Sequence, residues 1–97
     1  MLLRLACSHV LFGIVPGMAQ TPGAVLLAGA CQGCHGAAGQ GFHGIPQIKD
    51  AHSRADFVAM MQAFRADQRE ATVMGGIARG YSEAEITALA GFYARAQ

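Results

Sequence analysis

Cys31-Gln32-Gly33-Cys34-His35 reads C-x-x-C-H, the spacing at which two thiols and an imidazole together fix a c-type haem. One helical turn brings Cys31 and Cys34 onto the same face, where each can form a thioether with a haem vinyl group. His35 follows directly, and a neutral imidazole nitrogen supplies the proximal axial bond to iron. Other uses of these residues need companions elsewhere in the chain. A thioredoxin-like dithiol wants a βαβ pattern around it, whereas the flanking segments read helical and no run of β-branched residues appears. A zinc site wants two further ligands, and His43 and His52 are separated by eight residues, not by the roughly three to five of a finger.

On the N-terminal side, Arg4 precedes an apolar stretch from Leu5 to Val15, interrupted by Ser8 and His9. Pro16-Gly17 and the small-x-small triplet Gly17-Met18-Ala19 close it, which is the pattern of a secretory signal peptide cleaved after Ala19. A transmembrane anchor would want about 20 apolar residues, more than this stretch offers before Pro16. The expected organisation is therefore a leader over 1–19 and a single exported, periplasmic domain over 20–97. Cleavage takes Cys7 with it, so only Cys31 and Cys34 remain, and it takes Arg4, leaving six basic against six acidic residues. Without a basic patch or a Lys/Arg run, neither nucleic acid nor membrane insertion of the mature chain is expected.

The mature chain would keep 78 of the 97 residues, close to the size at which a hydrophobic core alone is marginal. A covalently held haem is the staple such a chain needs, and the apoprotein is expected to be largely unfolded.

Caps and periodicity predict an all-α fold of three main helices. The first opens at Thr21 as N-cap with Pro22 at the first helical position, carries Val25, Leu26 and Gly29 toward the core, and ends near Gly36. The second begins at Ser53 with Asp56 three residues on, and places Phe57, Met60, Met61 and Phe64 on one stripe. The third begins at Ser82 with Glu85 as capping-box partner, aligns Ile86, Leu89, Ala90 and Tyr93, and is expected to reach almost to Gln97. Between the first two lies a glycine-rich loop from Gly36 to Pro46, whose apolar residues are expected to wrap the proximal edge of the haem.

The candidates for a second axial ligand are Met74, Met60, Met61, His43 and His52. Met60 and Met61 fall on a helical stripe where methionine serves as core filler, and His43 and His52 read as surface or loop residues. Met74 sits in Thr72-Val73-Met74-Gly75-Gly76, read as a short loop whose glycines let the backbone approach the porphyrin closely. Its thioether suits low-spin iron, so Met74 is the expected ligand. Ile48, Phe57 and Ile77 are expected to cover part of the ring. Arg65, Arg69 and Arg79 read as a solvated face or as docking residues, and Tyr81 as packing or as reaching a propionate or the Met74 backbone.

The order of leader, short helix, Cys31-x-x-Cys34-His35, glycine-rich loop with Ile45-Pro46, and distal Met74 resembles a class I cytochrome c over nearly all of the mature chain. The resemblance implies that the Pro46 carbonyl accepts a hydrogen bond from His35, and that the terminal helices meet through a small residue, Gly29, and an aromatic, Phe92 or Tyr93. The stretch from Thr72 to Glu85, Thr-Val-Met-Gly-Gly-Ile-Ala-Arg-Gly-Tyr-Ser-Glu-Ala-Glu, is similar to the cytochrome subunit of flavocytochrome c sulfide dehydrogenases. Lys49-Asp50 and Gly76 depart from that subfamily's pattern. This narrower resemblance implies a periplasmic mono-haem subunit, itself no enzyme, taking single electrons from a flavoprotein partner and passing them to a downstream acceptor. The alternatives are a free electron shuttle between respiratory complexes and a haem-based ligand sensor.

Overall fold

The computed structural model describes residues 23–96, which form five α-helices and, among the described residues, no strand beyond an isolated Phe42–Ile45 bridge. The leader over 1–19 and the Thr21–Pro22 cap lie outside the described residues. The helices are α1 (Ala24–Leu27), α2 (Gly29–His35), α3 (Arg54–Arg65), α4 (Met74–Arg79) and α5 (Glu83–Tyr93). Helix α3 packs on both α4 and α5, and α1 packs on α5. The fold is the expected all-α one, with the first predicted helix divided at Ala28 and an extra short helix at Met74.

Local sequence sets the long helices. Ser53 Oγ accepts from the Asp56 amide at 3.1 Å and starts α3. At Ser82 the box is reciprocal: its Oγ accepts from the Glu85 amide at 3.1 Å while Glu85 Oε1 accepts from the Ser82 amide at 2.9 Å. Each cap satisfies amides that the helix cannot, a contribution of about 1 kcal/mol apiece. Helix α3 ends with Asp67 at φ 56°, the Gln68 amide donating to Ala63 O and the Asp67 amide to Phe64 O. This is a Schellman closure with aspartate where glycine is usual. Helix α5 stops at Tyr93, short of the expected end, because Ala94 turns extended at ψ 156°. There the Arg95 amide donates to His52 O and the Asp50 amide to Tyr93 O, both at 2.8 Å. Those non-local bonds replace a further helical turn.

The core holds Ala28, Phe57, Met61, Ala78, Tyr81, Ile86, Leu89, Ala90 and Tyr93. Val25 and Leu26, expected inward, are 70% and 77% exposed. The inward stripe is Ala24, Leu27, Ala28, Cys31 and His35, at helical spacing through Ala28, so Ala28 at 0% exposure, with Leu27 partly buried beside it, faces the core instead. Gly29 is exposed, with nothing within 4 Å of where a Cβ would stand. The small residue packed into the core with Tyr93 is therefore Ala28.

The segment from Gly36 to Pro46 turns tightly. Gly41, at φ 70°, donates its amide to His35 O, and the Phe42–Ile45 bridge then folds the chain back. A Cβ on Gly41 would stand 2.5 Å from Ile45 O and 2.6 Å from Gln47 N, both backbone atoms. Gly41→Ala is expected to cost about 2–4 kcal/mol, combining left-handed strain with a clash that has no flexible side chain to yield. Chemical denaturation checks the loss.

Candidate functional site

Helix α2, the segment after it, α3 and α4 enclose one cleft of about 440 Å³. Cys31, Cys34 and His35 line it from α2, Ile45, Pro46 and Ile48 from the following segment, Phe57, Met60, Met61 and Phe64 from α3, and Val73, Met74 and Ile77 from the α4 side. Most of this wall is aliphatic or aromatic, which suits a flat apolar ligand and excludes water from its faces. Ile48, Phe57 and Ile77, expected to cover part of the ring, are all in this wall.

His35 is buried, at 8% exposure. Its Nδ1 lies 2.7 Å from Pro46 O. A carbonyl only accepts, so Nδ1 carries the proton and donates, leaving the Nε2 lone pair for a metal. The His35–Pro46 pairing implied by resemblance is thus present, positioned by the Gly41 turn.

Cys31 is half-buried against the core and Cys34 is exposed, both as free thiols three residues apart on α2. Burial pushes the Cys31 thiol up, partly offset by the hydroxyls of Tyr81 and Tyr93 beside it. Burial likewise pushes the Tyr93 phenol up to about 12, with Cys31 adding to the shift. Tyr81 packs in the core rather than on the cleft wall, and its hydroxyl donates to Leu27 O at 2.9 Å, tying the start of α5 to the end of α1.

Met74 is half-buried and is the first residue of α4, not part of a loop. Of the two following glycines, Gly75 serves helix packing, since a Cβ there would stand 3.4 Å from Phe64 O and 3.2 Å from Arg79 Nη1. Gly76 faces open space. Met60 and Met61 line the same cleft, Met61 buried and Met60 half-buried. His43 is exposed, in edge contact with Phe42 at 5.4 Å.

Two lining residues differ from their sequence reading, in which His52, weighed as an axial ligand, reads as a surface or loop residue and Arg69 as a solvated or docking residue. His52 borders the cleft half-buried, and Arg69 borders it with its guanidinium 5.2 Å from the Phe64 ring centre. Arg69 is the permanent cation on the lining and has no ion pair among the described residues. Its place follows from the Schellman closure at Asp67, which turns the chain back toward Phe64, a non-local result that residue spacing does not encode.

The donor set fits a haem. Two thiols at thioether spacing, an imidazole with one nitrogen committed and one free, a thioether and an apolar wall converge on one cleft. The family model described as Cytochrome c matches residues 20–94. No curated protein matches the chain. Members of this family bind haem c covalently through cysteine and transfer electrons, and here Cys31 and Cys34 are the cysteines. With a match spanning most of its length and the haem-binding residues gathered in one cleft, the chain belongs to the cytochrome c family.

Proposed function

We propose that His35 and Met74 are the two axial ligands and that the chain is the exported, electron-accepting cytochrome subunit of a flavocytochrome c type of sulfide dehydrogenase. The ligand assignment is carried by one observation: His35, with Nδ1 held by Pro46, and Met74 line the same cleft as both cysteines. The subunit assignment is supported by the run from Thr72 to Glu85. Bound haem supplies a one-electron ferrous–ferric couple.

The chain's residues tune and protect that couple. Pro46 O fixes the His35 ring and strengthens it as a donor. The soft Met74 sulfur favours the ferrous state, as does the apolar wall of Ile48, Phe57 and Ile77, which penalises the extra ferric charge. Arg69 is placed to offset the carboxylates that any haem carries. No enzymatic step is assigned to this chain, because the sulfide chemistry belongs to the flavoprotein partner, which delivers single electrons. A downstream acceptor then reoxidises the protein.

The test is an absorption spectrum of the protein purified gently from its native periplasm, before and after adding sulfide. A co-purifying flavin, with the haem becoming reduced on sulfide addition, is the expected result. Haem alone, unresponsive to sulfide, would overturn the subunit reading and leave a free carrier.

A further inference from the structure

We propose that the face bearing Lys49, Arg54 and Arg95 is the docking surface for an acidic patch on the protein that reoxidises the haem. The inference rests on the reading in which a separate downstream acceptor takes the electron. A surface depression is lined by Lys49, Asp50, Ser53 and Arg54 on one side and by Gly91 and Arg95 on the other. It gathers three of the chain's seven basic residues against one of its six acidic ones. Asp56, in the first turn of α3, is not on that lining.

The fold does not consume these charges. Lys49 Nζ stands 3.9 Å from Asp50 Oδ1 and donates to Phe92 O, in the last turn of α5, at 3.0 Å. Arg54 and Arg95 are exposed and have no ion pair among the described residues. Arg54 is moreover the first residue of α3, where the positive end of the helix dipole disfavours a cation. Its guanidinium leans toward α5, since a Cβ on Gly91 would stand 3.8 Å from Arg54 Nη2. Helix stability alone would favour an acid at this position, so the arginine answers to something outside the chain.

The depression shares a wall with the cleft. Between residues 48 and 57 the chain alternates: Ile48, His52 and Phe57 line the cleft, while Lys49, Asp50, Ser53, Arg54 and Ala55 line the depression. Packed rings continue that wall. Phe57 stacks on Tyr93 at 6.1 Å, Tyr93 meets Phe92 edge-on at 4.9 Å, and Lys49 Nζ lies 5.8 Å from the Phe92 ring centre. Electron tunnelling decays less steeply through such close-packed atoms than across a solvent gap. Charge also selects the kind of partner, because permanent interfaces are depleted of charge at their centre, whereas a charged face steers fast, reversible encounters. A basic face one segment away from the cleft therefore suits a transient acceptor with a negative surface.

The test is stopped-flow oxidation of the reduced holoprotein by ferricyanide, an anionic oxidant that stands in for the acceptor. Salt is set at ~0.1 M, where the Debye length of about 10 Å confines the effect to charges near the point of electron exit. Arg54→Glu with Arg95→Glu is expected to slow oxidation about three- to tenfold, a difference that disappears near 1 M salt. Arg65→Glu with Arg79→Glu makes the same change in net charge elsewhere and is expected to stay within about twofold of wild type. Equal slowing in both double variants, or slowing in the second alone, would overturn the proposal. Thermal melting reports the fold separately, and an acid at the start of α3 is expected to hold or raise the transition. A deca-glutamate peptide added to the ferrous protein is expected to shift amide resonances within residues 49–55 and 91–96, and shifts confined to other segments, or none, would also overturn it. Ferricyanide needs no flavin, so these results are independent of whether sulfide reduces the haem.

Discussion

Alanine in place of Met74 is expected to leave the haem attached, to lower the midpoint potential, and to let the reduced protein bind carbon monoxide. Attachment survives because it depends on Cys31 and Cys34 in α2, whereas Met74 stands on α4. The potential falls because a soft thioether that favours ferrous iron is replaced by water or nothing. The drop is on the order of 100 mV or more, within the ~0.8 V span over which axial ligands set haem potentials. Spectroelectrochemistry and a carbon monoxide difference spectrum measure both effects. Met60 and Met61 line the same cleft and are the competing donors. Met60→Leu and Met61→Leu are expected to retain the wild-type spectrum, and a carbon monoxide response in either, with none in Met74→Ala, would move the ligand to α3.

The second large effect concerns folding. A Cys31→Ala, Cys34→Ala chain produced without haem is expected to lose most of its helical circular dichroism and its cooperative thermal transition. The cleft occupies about 440 Å³, and at ~24 cal/mol per Å³ an equivalent buried cavity would cost on the order of 10 kcal/mol. The cleft opens to solvent, so only part of that applies. Even a third is a large fraction of the roughly 5–15 kcal/mol by which domains are stable. The remaining core contains three alanines and six larger side chains, too few to compensate. A native-like spectrum and a sharp transition in the haem-free double variant would show that the helices hold themselves.

What could be read from sequence follows the range of the interactions involved. Ser53 and the Ser82–Glu85 box act within one turn, so the starts of α3 and α5 were legible, as were the stripes they launch. The haem residues were legible because covalent attachment imposes a fixed spacing on Cys31, Cys34 and His35. The inward face of the first helix was not. A helix advances about 100° per residue, and the stripe that carries Cys31 and His35 inward runs back through Leu27 and Ala28 rather than through Val25, Leu26 and Gly29. The helical state of Met74 was hidden by Gly75 and Gly76, poor helix formers that are tolerated here because Gly75 lets α4 approach the carbonyl of Phe64. Arg69 and His52 joined the cleft through turns that bring distant segments together, which no local pattern records.

The bonds from Asp50 to Tyr93 and from Arg95 to His52, with Lys49 Nζ donating to Phe92 O at 3.0 Å, join the middle of the chain to its final described residues. Contacts so distant in sequence form late, since the intervening chain must first be ordered. During N-to-C synthesis, none of them can form until α5 has emerged. Until then the Pro46 segment and α1 lack their partner, and the two cysteines remain on an open chain. The order of the helices thus sets a sequence of events: the segment carrying Cys31 and Cys34 is complete before the last helix arrives to order the chain around it.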